Sequence, residues 1–250
     1  MTGAASILRV AAGQPAVVGD LDSTVAAHAA MIRAAASDLI VFPELSLTGY
    51  RFDAALVDVL RDRAVLRPLI DACADVHGIA LVGAPVDGPS IATVQVDADG
   101  LRIAYRKVNL GAAEAQHFQR GAGPAVIDVH GWRVGLAICR DTGIEQHTRE
   151  LTALGIDVYA CGVVHHRNEL DEQERRAQHI ATSAKVPVVL ASFAGPTGEG
   201  YADTAGQSSI WAEDGSVIGR AGEEPGEFTT AILRRQVPAD RRTHRPRSLH

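Results

Sequence analysis

Short apolar runs alternate along the chain with segments in which apolar residues recur every three or four positions. Residues 5–13 and 79–86 are apolar almost throughout, which predicts buried strands. Residues 22–37 carry their apolar side chains at helical spacing, with Asp22 or Ser23 as the expected N-cap. The chain therefore begins as alternating strands and helices, which is typical of layered α/β proteins.

The same pattern continues to the end of the chain. It predicts the order β-α-β-α-β-β-β, followed by a hairpin and then α-β-α-β-β-β-β. Asp99-Gly100, His130-Gly131 and Asp214-Gly215 mark the turns of three hairpins. The two halves resemble each other, and no linker or low-complexity segment divides them. We therefore expect one α/β domain over residues 1–250, built from two similar halves.

Cys139 stands where a predicted strand, residues 132–138, meets a predicted helix, residues 144–155. Thr142 and Glu145 have the spacing of a capping box at the start of that helix. Open α/β folds place their sites at the carboxyl ends of strands, and a helix N-terminus favours a thiolate. A cysteine after an apolar run is nevertheless more often a packing residue, so this position alone does not identify a nucleophile.

Composition and charge narrow the function classes. The chain is 46% hydrophobic, enough for a sizeable core, and its net charge of -6 argues against a general nucleic-acid binder. No apolar run is long enough to span a membrane, and no signal-peptide pattern is visible. Cys73, Cys139 and Cys161 form no CxxC motif and cannot all pair, which indicates free thiols and a cytoplasmic location.

Two further reactive groups follow predicted strands. Glu44 ends the apolar stretch at residues 38–44, and Lys107 follows the second strand of the first hairpin. Each residue alone is more often a solvated charge. A carboxylate, a cation and a thiol at strand ends of one layered fold together favour a catalytic site.

The segments around these residues resemble the three signatures of the carbon–nitrogen hydrolase family, the nitrilase superfamily. They are FPELSLTGY (42–50), YRKVNL (105–110) and GLAICRD (135–141). RVAAGQ (9–14) and GQSSIWAEDGSVI (206–218) are similar to the opening and closing strands of the family. The resemblance covers nearly the whole chain, in the right order and spacing.

The resemblance implies a four-layer α-β-β-α sandwich and a catalytic set of Glu44, Lys107 and Cys139. A second family glutamate falls on Glu114, and the backbone N–H of Arg140 would help to hold the oxyanion. The family needs no cofactor and no metal. Its members assemble into dimers or larger oligomers, so we expect a homodimer or higher homo-oligomer, with the tail from about residue 235 contacting the partner.

Some positions depart from the family pattern. Arg140 stands where an aromatic residue is frequent, residues 144–146 replace an FPE-like segment, and Asn109 replaces a frequent histidine. None of these changes removes a catalytic group, but they leave the substrate open.

The stretch CGVVHHR (161–167) allows two interpretations. A metal site is disfavoured because no second ligand pair has metal-site spacing. Because the stretch follows a strand, His165, His166 and Arg167 are instead candidate substrate-binding residues, which would favour a polar or anionic acyl group. The glycine-rich residues 194–200 lack the motif of a phosphate loop and are interpreted as a flexible loop.

These observations predict a thiol-dependent hydrolase that cleaves a small-molecule amide through a thioester and releases ammonia. In the nitrile-hydrolysing branch of the family the cysteine is typically followed by Trp-Glu. Here Arg140 and Asp141 follow, as Asp does in amidase-type members, so the resemblance implies an amide rather than a nitrile. An N-carbamoyl (ureido) hydrolase or an acyl transferase of the same family is an alternative. A non-catalytic binding protein that retains the fold is an alternative of another class.

Overall fold

Two six-stranded β-sheets occupy the middle of the molecule in a computed structural model that describes residues 5–17 and 19–236. In spatial order the first sheet contains β12 (Glu227–Gln236), β1 (Ala5–Gln14), β2 (Leu39–Val41), β3 (Ile79–Val86), β4 (Ser90–Asp97) and β5 (Gly100–Arg106). The second contains β6 (Ala125–Val129), β7 (Trp132–Ile138), β8 (Val158–Val163), β9 (Val188–Ser192), β10 (Ser209–Trp211) and β11 (Val217–Arg220).

Among the described residues, four α-helices cover the outer faces of these sheets. They are α1 (Leu21–Ala35), α2 (Arg63–Val76), α3 (Glu145–Ala153) and α4 (Leu170–Ala184). One apolar cluster joins α1 and α2 to the first sheet, and another joins α3 and α4 to the second. A third cluster, between the sheets, takes residues from both. The molecule is therefore the four-layer α-β-β-α sandwich that the family resemblance implies.

The period-two alternation of strand side chains explains how single strands serve two of these clusters. In β1, Leu8 and Val10 face the second sheet, whereas Ala11 faces the helices. In β7, Leu136 faces the first sheet and Ala137 faces α3 and α4. Both faces of each sheet are covered, which is why these strands read as continuous apolar runs.

The two sheets repeat one topology, as predicted. Strands β1, β2 and β3 are parallel, and β4 and β5 continue the sheet antiparallel. Strands β7, β8 and β9 are likewise parallel, followed by antiparallel β10 and β11. An antiparallel edge strand completes each sheet, β12 beside β1 and β6 beside β7.

The predicted N-cap of the first helix is wrong by two or three residues. Asp20, rather than Asp22 or Ser23, is the N-cap of α1, and its carboxylate accepts a hydrogen bond from the backbone N–H of Ser23 at 2.7 Å. Asp22 lies in the first turn, where its negative charge interacts favourably with the positive end of the helix dipole.

The predicted capping box of Thr142 and Glu145 is also wrong. Residues Cys139–Gly143 form a 3₁₀ turn, and the Thr142 hydroxyl donates to the carbonyl at the start of that turn at 2.6 Å. Helix α3 begins at Glu145 without a side-chain cap. The reason is Asp141, whose buried carboxylate accepts from the N–H of Ile138 at 2.9 Å and caps the 3₁₀ turn instead.

The C-terminal strand belongs to this chain's own first sheet. Strand β12 pairs with β1 over all ten residues and ends at Gln236, so residues 235 and 236 lie inside a strand rather than a tail. The Arg235 guanidinium lies over the Trp132 ring, 4.5 Å from its centroid. Residues 237–250 lie outside the described part, and homo-oligomerisation stays a prediction. Across residues 5–17 and 19–236, every helix is too short or too polar to cross a membrane.

Candidate active site

Glu44 lies in a tight turn that follows β2. The N–H of Phe42 still pairs with Leu81 of β3 at 2.9 Å, and the N–H of Leu47 donates to the Gly83 carbonyl at 3.0 Å. Leu45 between them has a φ of 51°, which is strained for a residue with a side chain. The chain is thus bent back over the end of β3, and the Glu44 side chain is fully buried.

Two glycines make room for this turn, one in each sheet. A Cβ on Gly83 of β3 would lie 2.3 Å from the Pro43 carbonyl oxygen. One on Gly162 of β8 would lie 2.4 Å from the Phe42 carbonyl oxygen and 2.9 Å from the Glu44 nitrogen. Because these are backbone contacts, no side chain can rotate to relieve them. The position of the carboxylate therefore depends on both halves of the molecule.

Lys107 follows β5, and its side chain reaches two carboxylates. Its Nζ donates to Glu44 Oε1 at 2.6 Å and to Glu114 Oε1 at 2.6 Å. The lysine side chain is 1% exposed and the two glutamates 0% and 4%. Both carboxylates therefore compensate a charge that is almost completely removed from water.

Glu114 starts a short 3₁₀ turn and is held by additional donors. Its Oε2 accepts from the N–H of Gly111 at 2.6 Å, and its Oε1 accepts from the Tyr50 hydroxyl at 2.7 Å. Tyr50 lies at the end of the segment that carries Glu44 but was not singled out from the sequence. Its position in that segment is the only sequence signal for its role.

Cys139 follows β7 in a strained conformation. Its φ is 40°, in the left-handed region that residues other than glycine rarely adopt. The thiol is half-buried and donates to the Val164 carbonyl at 3.3 Å. The N–H of Arg140 lies in the first turn of a 3₁₀ segment, where backbone N–H groups have no acceptor within the helix. The Arg140 side chain is exposed.

A third buried carboxylate, that of Asp141, connects the turn that carries the thiol to the segment that carries Lys107. Asp141 Oδ1 accepts from the N–H and the side-chain amide of Asn109 at 3.0 and 2.8 Å. Its Oδ2 accepts from the Tyr105 hydroxyl at 2.8 Å, in addition to Ile138. Asn109, noted above as a departure from the family pattern, thus donates directly to this carboxylate.

The charges of the site are strongly coupled. Burial is the main cause that raises the pKa of Glu44 to about 8; the Lys107 charge opposes this rise and the Glu114 charge adds to it. Burial acts to lower the pKa of Lys107, but the negative charges around it outweigh that effect and raise the pKa. Burial acts to raise the pKa of Glu114, but Lys107 and its hydrogen bonds hold it below its usual value.

The thiol is protonated in this arrangement. Burial, together with the Glu44 charge, raises the pKa of Cys139 to about 12. Within the described residues, Glu44 Oε2 is buried without a hydrogen-bond partner, and Cys139 is close enough to influence the pKa of this carboxylate. The pKa of Glu44 is near the physiological pH, and its Oε2 has no hydrogen-bond partner among the described residues. This carboxylate can therefore accept the proton of the thiol.

The structure separates the three candidate substrate-binding residues. His165 is buried against Gln173, and burial lowers its pKa to about 4. Arg167 is ion-paired with Asp203 and Glu223. His166 alone stacks on an aromatic ring, that of Tyr201. The substrate-binding role stays a prediction. No three potential metal ligands come together in residues 5–17 and 19–236.

Comparisons with known proteins identify the family of this chain. Residues 9–242 match the family profile described as carbon-nitrogen hydrolase. A Pseudomonas protegens protein named "hydrolase in pqqF 5'region" is 31% identical over 208 residues, 78% of this chain and 71% of that protein. An (R)-stereoselective amidase of a Pseudomonas species is 32% identical over 127 residues, which are 49% of this chain and only 46% of that protein.

Solved structures show the same fold. A mutant of an amidase of Nesterenkonia AN1, from the nitrilase superfamily, superposes with a TM-score of 0.79 at 21% identity, covering 90% of each chain. A Saccharomyces cerevisiae member of branch 10 of that superfamily gives a TM-score of 0.80 at 20% identity, covering 91% of this chain and 90% of the other. The family profile and the relative matched over most of its length establish that this chain belongs to the carbon–nitrogen hydrolase family, the nitrilase superfamily.

Proposed function

We propose that this protein is an amidase that hydrolyses a small linear carboxamide through a thioester on Cys139. One observation carries the proposal: a buried Lys107 ammonium bridges Glu44 and Glu114 in the same site as a strained, half-buried thiol. A base, an oxyanion partner and a nucleophile are the groups that acyl transfer from an amide requires.

In the first half-reaction Glu44 takes the proton of Cys139 as the sulfur attacks the amide carbon. The C–S bond forms, and the carbonyl electrons move to oxygen, where Lys107 and the N–H of Arg140 would hold the oxyanion. Each such donor is worth about 2.7–4 kcal/mol of barrier. When the oxyanion collapses, the C–N bond breaks, and Glu44 returns its proton to the nitrogen, which leaves as ammonia.

In the second half-reaction a water molecule attacks the thioester while Glu44 accepts its proton. Collapse of this second oxyanion breaks the C–S bond and releases the carboxylic acid, and the proton on Glu44 returns to the sulfur. One carboxylate can serve as base and acid in turn because its raised pKa, about 8, lies near the working pH. Glu114 holds Lys107 in place through both steps.

The names of similar proteins support an amide as the substrate. Two of the similar proteins described above are called amidases. Another structure of the Nesterenkonia amidase is described as showing covalent addition of the acetamide moiety of fluoroacetamide at the active-site cysteine. The Arg-Asp pair after Cys139 also favours an amide over a nitrile.

Matched amides and nitriles test the proposal. Ammonia release and intact mass are measured for each pair, with the wild type and with Cys139→Ala. We expect faster release from the amides, an acyl adduct on the wild type and neither product with the variant. Faster release from the nitriles would reject the amidase assignment.

Two other outcomes identify the alternatives. Release of ammonia and carbon dioxide from ureido compounds, with no turnover of simple amides, would indicate an N-carbamoyl hydrolase. Transfer of the acyl group to hydroxylamine far faster than to water would indicate an acyl transferase. The absence of both adduct and ammonia with every compound would leave a binding protein that retains the fold.

A further inference from the structure

Only 4% of the residues are aromatic, yet four rings gather beside the proposed site. The Tyr50 ring lies edge-on to Phe52 and to Tyr201, with centroids 5.1 Å apart in both cases. Phe52 also meets Phe118 edge-on at 5.7 Å. Because Tyr50 donates its hydroxyl to Glu114, these rings begin directly at the catalytic carboxylates.

The same rings lead back to the thiol. Cys139 contacts the carbonyl of Val164, and two residues later the His166 ring stacks on Tyr201 at 4.1 Å with an interplanar angle of 10°. Burial, followed by the charge of Cys139, raises the pKa of Tyr201 to about 12, so this tyrosine lies within electrostatic reach of the sulfur. A continuous path therefore runs from the sulfur along residues 164–166, through the rings of His166, Tyr201 and Tyr50, to Glu114.

Tyr201 is carried by a strap, residues 195–205, which overlaps the glycine-rich residues 194–200 that were predicted to be a flexible loop. Thr197 Oγ1 accepts from the N–H of Tyr50 at 2.8 Å, and Glu199 Oε1 accepts from the N–H of Phe52 at 3.1 Å. At its other end, the N–H of Ala205 donates to the His165 carbonyl at 2.9 Å. Both ends of the strap are thus bonded to segments that border the catalytic groups.

Two cations that could bind an acyl carboxylate near these rings are already compensated. Lys107 is held by two carboxylates, and Arg167 by Asp203 and Glu223. Burial keeps His165 neutral over the physiological range, with its pKa near 4. An acyl carboxylate here would meet the negative charges of the glutamates without an unpaired cation from these residues.

We propose that Tyr50, Phe52 and Tyr201 form an aromatic wall that receives the acyl chain, so that the enzyme selects carboxamides with an uncharged, apolar acyl group. The inference rests on the proposed amidase function and specifies its substrate class. This substrate class replaces the polar or anionic acyl group that His165, His166 and Arg167 were expected to favour. Tyr201 is then the residue of the strap that determines specificity.

Four carboxamides test this wall: acetamide, butyramide, succinamate and 3-aminopropanamide. Butyramide, succinamate and 3-aminopropanamide have similar lengths and differ in charge, whereas acetamide is too short to extend along the wall. We expect kcat/KM for butyramide to exceed that of each other compound by about tenfold or more, since burying one methylene is worth about a factor of ten in such pockets. Tyr201→Ala should reduce the butyramide-to-acetamide ratio severalfold, Tyr201→Phe should preserve it, and Leu60→Ala, at an exposed position, is the matched control.

Binding to the Cys139→Ala protein, measured by ligand-observed NMR, separates the two proposals. Tighter binding of butyramide than of the charged amides supports the wall even if the wild type releases no ammonia, a result that would reject the amidase function alone. Hydrolysis without this preference would reject the wall and leave the function. Tighter binding or faster hydrolysis of succinamate would overturn the inference and point to the exposed Arg140 as its cation.

Discussion

The two halves of the molecule repeat one topology but use the ends of corresponding strands differently. Strand β1 ends at Gln14 and β7 leads into Cys139, and each is the first parallel strand of its sheet. The Gln14 side chain is fully buried and has three partners: it donates to the carbonyls of Gly222 and Glu224 and accepts from the N–H of Ser208. The thiol has one weak partner and a strained backbone.

The second parallel strands show the same contrast. Strand β2 leads to Glu44, whose Oε2 is buried without a partner in the described part of the chain. Strand β8 leads to His165, which burial keeps neutral and which contacts Gln173. Each half thus contributes one strand end with incomplete hydrogen bonding to the candidate site. Of the corresponding strand ends in the other half, Gln14 has three hydrogen bonds and His165 is held neutral against Gln173.

Replacement of Cys139 should have the largest effect on activity of all the changes at these strand ends. Cys139→Ala should lower kcat by about 10,000-fold or more, because the thioester route is lost. Cys73→Ala and Cys161→Ala should stay within about twofold of wild type, since neither thiol stands at a strand end in the site. Ammonia release measures the turnover of each variant, and circular dichroism checks that it is folded. Near-wild-type turnover by Cys139→Ala would reject the proposed mechanism.

Gly162→Ala should produce the next largest effect. The added methyl group meets the backbone of the Glu44 turn at 2.4–2.9 Å, so the turn must shift. A displacement of about 1 Å at a catalytic group can cost about a hundredfold in rate, so we expect kcat to fall by about 10–100-fold. Gly123→Ala is the matched control because nothing lies within 4 Å of its Cβ. Equal activities of the two variants would show that the second sheet does not position Glu44.

The order of strands and helices was predictable because each buried strand is an apolar run and each helix has an apolar stripe. Glu44, Lys107 and Cys139 were predictable as strand-end residues within recognisable segments. The bond between Tyr50 and Glu114 was not, because its partners are 64 positions apart and no local pattern joins them. The need for glycine at position 162 arises only where two sheets meet, which a local sequence pattern does not contain.

The capping box predicted from the sequence was wrong for a related reason. Local spacing favoured Thr142, but Asp141 is buried by contacts with Tyr105 and Asn109, more than thirty positions earlier. That carboxylate caps the 3₁₀ turn at Ile138, and the Thr142 hydroxyl inside the same turn donates to the Cys139 carbonyl instead of capping α3. Tertiary contacts thus overrode a local preference at the position where the thiol is held.

Glu114→Gln should shift the pH profile rather than abolish activity. The negative charge of Glu114 raises the pKa of Glu44, so removing it lowers that pKa. Because Glu44 must be ionised to accept the thiol proton, the rising limb of kcat/KM should move to lower pH. Glu213→Gln, at an exposed position, is the control and should leave the limb near pH 8. A limb that moves to higher pH in Glu114→Gln would contradict the assigned coupling.

Gln14→Ala should have the smallest effect on activity and a clear effect on stability. The change leaves two carbonyls and one N–H without their side-chain partner, which should lower the free energy of unfolding by about 2–3 kcal/mol. Its kcat should stay within about twofold of wild type, because the hydrogen bonds of this side chain go to Gly222, Glu224 and Ser208 rather than to the catalytic groups. Urea denaturation measures the first quantity and ammonia release the second, with exposed Gln116→Ala as the control. Cys139→Ala should show the opposite result, full stability without turnover, because the thiol has one weak bond to lose. A Gln14→Ala protein of normal stability and lost activity would mean that both strand ends serve the chemistry.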